Sequence, residues 1–191
     1  MSHLVYRLTP PEFDRYRTHL LALDKDSRYL RFGHHIQDEM INTLCDKFKA
    51  NPREHKLFVI ENEDLEVIAA GHISLEGGEL ELAFSVLKEH QGKGMGSSLM
   101  SRTVEWCQNR GIKGGCMVCL STNAAIKKLA AKHGILINDS GETLADIRIP
   151  DATSASVLHE VVDSNMSKID HLGKLQRRFA RMLTFPLHFN K

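Results

Sequence analysis

No stretch of this 191-residue chain approaches the about 18 continuous apolar residues of a membrane-spanning helix. Its start, Met1-Ser2-His3-Leu4-Val5-Tyr6-Arg7, has no signal-peptide apolar run, which makes the cytoplasm the expected compartment. Proline numbers only 5 and no internal repeat is present, while hydrophobic residues reach 42% and charged residues 26%. Collagen, a coiled-coil rod, a mucin-like stalk and a wholly disordered chain are thereby excluded. Cysteine is scarce as well, with Cys45, Cys107, Cys116 and Cys119. Cys116 and Cys119 form a CxxC in a strand-like run, so their side chains alternate faces and cannot easily chelate one metal. No second CxxC and no HxxxH accompanies them, the 11 histidines show no ligand spacing, and His34-His35 are adjacent. Reduced thiols and no metal are expected.

Net charge is nearly missing too, at +1, but its distribution is uneven. Residues 166–191 carry Lys168, Lys174, Arg177, Arg178, Arg181 and Lys191 against Asp170, a charge of +5 that leaves −4 for the rest. A slightly acidic body with a basic tail follows.

Along the chain, residues 4–8 read as a strand. Thr9-Pro10-Pro11-Glu12 is a capping box with proline at the first helical position, and Phe13, Tyr16, Leu20 and Leu23 recur at helical spacing. Polar residues Asp24 to Arg28 break the pattern. Ile36, Met40, Leu44 and Phe48 then form the stripe of a second helix ending near Asn51-Pro52. Strands over 56–62, 66–75 and 79–86, with a Gly77-Gly78 turn, predict an antiparallel meander. A helix with Leu99, Thr103 and Cys107 inward runs to Gly111. The strand Cys116 to Leu120 leads through Ser121-Thr122-Asn123 into a short helix closed by Gly134. Two strands follow around Ser140-Gly141. From Thr153, Leu158, Val161, Val162, Met166, Ile169, Leu172, Leu175, Phe179 and Met182 fit one long amphipathic stripe, the usual mark of a helix packed on a surface. Trp106 and Phe179 read as packing residues.

Between the third strand and its following helix lies Gln91-Gly92-Lys93-Gly94-Met95-Gly96. Helix-start N–H groups lack internal partners and the helix dipole is positive there, so a glycine-rich turn at this place is an anion site suited to phosphates. The Walker pattern GxxxxGK[ST] is absent. The spacing is not GxGxxG, since position 97 is serine, and the loop does not follow the first strand of a βαβ unit, which argues against a Rossmann site.

The loop resembles the pyrophosphate loop Q/R-x-x-G-x-G/A of GNAT N-acetyltransferases. Element order from Leu4 to about Pro150 is similar as well, over roughly three quarters of the chain. Shorter segments, Ser27-Arg28-Tyr29-Leu30-Arg31-Phe32 and Glu81-Leu82-Ala83, look like the S-R-Y-L-R-F and A-E-x-A segments of bacterial protein-lysine acetyltransferases. The resemblance implies an α/β (α+β) fold with a mixed, mostly antiparallel central sheet flanked by helices, and acetyl-CoA as co-substrate. It implies that Gln91, Gly92, Lys93, Gly94, Met95, Gly96, Ser97 and Ser98 hold the pyrophosphate. Phe84, Ser85, Val86 and Leu87 would run beside the pantetheine arm, and Asn123 would contact it or merely cap its helix. A backbone N–H near Val86 would polarise the acetyl carbonyl.

Amine acetylation calls for a general base. Glu81, ten residues before Gln91, stands where that family has its catalytic Glu, and Glu79 shares its face; a solvated edge-strand Glu is the alternative. Many relatives carry N-x-x-A-x-x-L-Y after the next strand, with the Tyr as acid. Here the run is Asn123 to Ala130, and Ala130 takes the Tyr place, leaving water, Ser121 or Cys119 as candidates. Arg28 and Arg31 either line a ligand site or belong to a solvated loop. The expected organisation is an acetyl-CoA-binding domain over 1–150 and a helical extension over 151–191. The expected function is acetyl transfer from acetyl-CoA to a primary amine of a small molecule or a protein lysine; the alternative is a non-catalytic acetyl-CoA-binding regulatory module. Neither nucleic acid nor membrane is an expected partner, and the tail helix offers a homodimer contact.

Overall fold

A computed structural model describes residues 3–119, 123–132, 136–139 and 143–183. Seven strands form one sheet in the order β1-β2-β3-β4-β5-β7-β6, where β1 is Tyr6–Arg7, β2 His55–Glu61, β3 Val67–Ser74, β4 Glu81–Val86, β5 Gly114–Cys119, β6 Leu136–Asp139 and β7 Thr143–Arg148. Every pairing is antiparallel except β4 with β5. The meander β2-β3-β4 and the final hairpin agree with the sequence expectation.

Alternation along β2 explains the two-sided core. Phe58 and Ile60 face one way, with Leu99, Met100, Trp106 and Cys107 of α4 (Met95–Gln108) and Leu129 and Ala130 of α5 (Ala124–Lys132). Leu57 and Val59 face the other way, with Phe13, Tyr16 and Leu20 of α1 (Phe13–Ala22) and Ile41, Cys45 and Phe48 of a further helix. Thr9 and Glu12 make the expected capping box, over a 3-10 turn at Pro10–Glu12 that leads into α1.

Three sequence expectations need correction here. Residues 24–32 are not a polar break but a helix, α2 (Lys25–Phe32), which Asp24 caps by accepting from Ser27 N–H at 2.7 Å and which Gly33 ends in the left-handed region. The next helix, α3 (Asp38–Ala50), buries Ile41, Cys45 and Phe48; of the expected stripe, Ile36, Leu44 and Phe48 pack against the core and only Met40 points to solvent. The third correction concerns α6 (Ser154–Leu183). It packs beside β1 and α4 through polar residues, and the stripe from Leu158 to Leu183, Phe179 included, faces solvent. Phe179 is 63% exposed, so it is not a packing residue, whereas Trp106 is buried edge-on to Phe58.

Gly115 determines how β5 meets β4. A Cβ there would sit 2.2 Å from the Leu80 carbonyl oxygen, so only glycine allows the two backbones to come this close. The contact is drawn tight by Cys116 N–H donating to the same Leu80 oxygen at 2.7 Å. Gly115→Ala should therefore cost roughly 2–3 kcal/mol in urea unfolding. An unchanged midpoint would show that the pinch tolerates a side chain.

Candidate active site

Below the pinch, β4 and β5 share one residue pair, Glu81 with Cys116, among the described residues. β5 pairs with β7 along its whole length, Gly114 to Cys119, and β4 with β3 up to Val86, but no β4–β5 pair follows Glu81–Cys116 among the described residues, so the two strands part. Leu87 N–H donates to Ile68 O at 3.0 Å, which makes Ala69–Val86 a pair whose own backbone groups face outward. By the same alternation Phe84 and Val86 turn their N–H groups into the gap left by β5.

The turn after β4 closes one end of that gap. Gly92 and Gly94 adopt φ of +75° and +84°, and Gly94 is the residue from which α4 starts. Ser98 N–H makes the first helical bond of α4, to Gly94 O at 3.1 Å, so the amides of Met95, Gly96 and Ser97 precede the ladder. Gln91 fastens the turn, with Nε2 donating to Val86 O at 3.1 Å and to Ser27 Oγ at 3.2 Å. Opposite, Asn123 is buried and caps α5, its Oδ1 accepting from Ile126 N–H at 3.1 Å.

The result is a cleft of about 410 Å³. Of the residues predicted to hold the co-substrate, Phe84, Ser85, Val86, Gln91, Gly92, Gly94, Met95, Gly96, Ser97 and Asn123 line it. Leu87, Lys93 and Ser98 do not; Lys93 Nζ donates to Glu89 O at 2.8 Å, and Ser98 Oγ accepts from His3 N–H at 3.2 Å. Ser27, Leu30 and Arg31 of α2 complete the wall, with Ile126, Lys128 and Leu129 of α5. The α2 residues fall within the S-R-Y-L-R-F segment, so that short motif marked a cleft wall. Arg28 instead is spent on the fold, bonding Leu21 O, Leu23 O and Asp38.

Glu81 is exposed and does not border this cleft. It opens on a second cavity of about 480 Å³, which shares Leu30 and Arg31 with the first and also contains Ala83, His55, His72, Glu76 and Lys47. There Glu76 receives Lys47 Nζ at 2.6 Å and lies 2.9 Å from His55 Nε2, while His55 Nδ1 is 3.1 Å from His72 Nε2. Ala130, at the place of the relatives' Tyr, is fully buried in the core. Ser121 lies outside the described residues, as do Leu120, Gly134 and Ser140-Gly141. Cys45, Cys107 and Cys116 are free thiols. Among the described residues two groups of potential metal ligands do cluster, Glu54-His55-Glu76 and Glu105-His159-Asp163, each with candidate atoms within 4.8 Å.

A buried dyad escaped sequence reading altogether. His19 of α1 contacts Val67 O through Nδ1 and Ser85 Oγ through Nε2, both at 2.8 Å. With Nδ1–H donating to the carbonyl, Nε2 accepts from the Ser85 hydroxyl at the cleft wall. A lone His in a helix carries no signal for a partner 66 residues away.

Residues 53–134 match the family model described as acetyltransferase (GNAT) domain. Over those residues the chain is similar to GNAT acetyltransferase domains. The GNAT domain of PAT from S. lividans superposes with a TM-score of 0.62 at 20% identity, over 75% of this chain and 89% of that one. A mutant cAMP-binding acyltransferase from Mycobacterium smegmatis gives 0.55 at 20%, over 86% of this chain and 50% of that one. Phosphinothricin acetyltransferase from Sinorhizobium meliloti, in complex with AcCoA, gives 0.60 at 15%, over 81% and 92%. At these identities the likeness is one of fold. No curated protein matches the sequence. No helix among the described residues is long and apolar enough to cross a membrane.

Burial pushes His19 down to about 4, with the Val67 contact opposing, and also lowers His72 and His55. Unfolding frees these rings to take up protons near pH 6.5. The folded state resists, so stability should be full above about pH 6.5 and fall as pH drops towards 4. His19 alone would contribute roughly 3 kcal/mol of that loss. The carboxylates held low, Glu12, Asp14, Asp24 and Glu76, act only below their ordinary range, at about pH 4.5 and under. Urea midpoints across this pH range check the slope. His19→Asn should flatten it, and an equal slope in that variant would remove His19 as its source.

Proposed function

We propose that this chain is an acetyl-CoA-dependent N-acetyltransferase that acetylates a primary amine by direct attack within a ternary complex. The observation carrying this reading is the convergence of two sets of amides on one cleft. Those of Met95, Gly96 and Ser97 head α4, and those of Phe84 and Val86 face the opened strand gap. The first set suits the pyrophosphate, with the helix dipole behind it. The second suits the thioester end, where the Val86 N–H would stabilise negative charge growing on the acetyl oxygen. Asn123, locked by its cap, would stand beside the pantetheine arm.

The acceptor amine would enter from the second cavity, which Glu81 lines and where Glu76 is already paired with Lys47. Its neutral nitrogen attacks the acetyl carbon, the C–S bond breaks, and coenzyme A leaves as thiolate. The proton lost by nitrogen passes to Glu81, through water because Glu81 lies outside the donor cleft. The thiolate takes its proton from solvent, since Ala130 offers none. Both a small amine and a protein lysine fit this chemistry. The S-R-Y-L-R-F segment on the cleft wall supports the protein-lysine reading.

A second reading, a regulatory module that binds acetyl-CoA without turnover, is favoured by the buried Ala130. A panel of amines and a lysine peptide, assayed for coenzyme A release, separates the two. Turnover with at least one acceptor is expected; binding of acetyl-CoA with release from none would establish the module. Glu81→Gln should keep acetyl-CoA affinity and lose roughly 100-fold or more in turnover. Undiminished turnover would remove Glu81 from the mechanism.

A further inference from the structure

Helix α6 is inside out for a surface helix. Its body-facing residues are polar: Ser164 Oγ accepts from Arg102 at 2.5 Å, Glu160 pairs with Arg110 at 3.0 Å, His171 stacks on Tyr6 at 4.3 Å and meets Glu61 at 2.9 Å, and buried Lys174 reaches Glu61 O at 3.1 Å. The opposite face holds eleven of the fifteen exposed large hydrophobic residues among the described ones, with Ile169 at 70% and Leu183 at 75% exposure. This face is on the order of 1,000 Å² of apolar surface along one straight element, more than an isolated chain ordinarily exposes.

We propose that this face is covered by the same face of a second copy of the chain, with the two α6 helices antiparallel. The sequence of the stripe is self-complementary about a two-fold axis passing between Asp170 and His171. That axis sets Ile169 against Leu172, Val162 against Phe179 and Leu158 against Leu183. It sets the two polar interruptions of the seam, Asn165 and Gln176, against each other, where their amides can bond. Met166 and Leu175 meet beside them. In this register the two seam amides face each other, so neither is set against an apolar side chain, which would carry an energetic cost. The apolar area meets the about 800 Å² per partner that a stable interface uses. Orientation follows from charge. The C-terminal half of α6 holds Lys174, Arg177, Arg178 and Arg181 against Asp170, and the N-terminal half Glu160 and Asp163 against Lys168, so the first is net basic and the second net acidic. A parallel pair would bring the two basic halves together, whereas the antiparallel pair sets each beside an acidic half. A membrane fits less well, because an interfacial helix offers its Lys and Arg to headgroups. Here Lys174, Arg177 and Arg181 are engaged by the body, at Glu61, Glu63 and Asp64.

Sedimentation equilibrium of the full chain at micromolar concentration tests the proposal. Twice the chain mass is expected. Ile169→Glu, exposed in the monomer and adjacent to the axis, should raise the dimer dissociation constant roughly 100-fold or more while leaving acetyl-CoA affinity unchanged. For orientation, Val162→Cys chains mixed with Phe179→Cys chains should form an interchain disulfide under mild oxidation, and Val162→Cys alone should not. A wild-type monomer, a dimer indifferent to Ile169→Glu, or cross-linking by Val162→Cys alone would each overturn the proposal. So would a monomer that co-sediments with vesicles of phosphatidylserine and phosphatidylcholine, which would assign the face to a membrane.

Discussion

At Leu80, just before β4, the backbone passes so close to Gly115 that no side chain fits between them, and the Cys116 N–H holds it there. From this pinch the two strands run apart, one kept by β3 and the other by β7. Each strand gives up backbone pairing to do so, a loss that a sheet interior accepts only when something else satisfies those groups. The unpaired amides of Phe84 and Val86 are thus both a cost of the fold and the means by which it can grip an extended ligand. The cleft depends on this opening: without it, the glycine turn would head a helix with nothing leading to it.

The turn and the helices fix where along the gap a ligand can sit. Gln91 ties the end of β4 to α2, so the helix-start amides, the strand gap and the α2 wall are joined by one side chain. The same strand borders two cavities with different linings. One is rimmed by helix-start amides, the other by Glu76, Glu81 and a pair of buried histidines.

Much of this was legible in the sequence because it is local. Alternation in β2 to β4 and the glycine turn depend on near neighbours, and both stand where the residues place them. The α2 helix was not legible, since Lys25-Asp26-Ser27-Arg28 lacks apolar periodicity; its formation rests on the Asp24 cap, the Gly33 end and contacts with Gln91. The face of α6 was misread for a different reason. A periodic stripe reveals that a helix is two-sided, but the body decides which side it receives. Here the body presents Glu61, Arg102 and Tyr6 to this helix, and those groups take its polar side. Glu81 was placed correctly on its strand face, yet which cavity that face meets depends on helices far away in sequence.

The central claim is that the parted strands and the glycine turn form one acetyl-CoA site. Amide chemical shifts recorded while acetyl-CoA is titrated into the protein test it most directly. The account predicts saturable shifts at Met95, Gly96 and Ser97 together with Phe84 and Val86. Absence of binding, or shifts confined to residues outside the cleft, would contradict it.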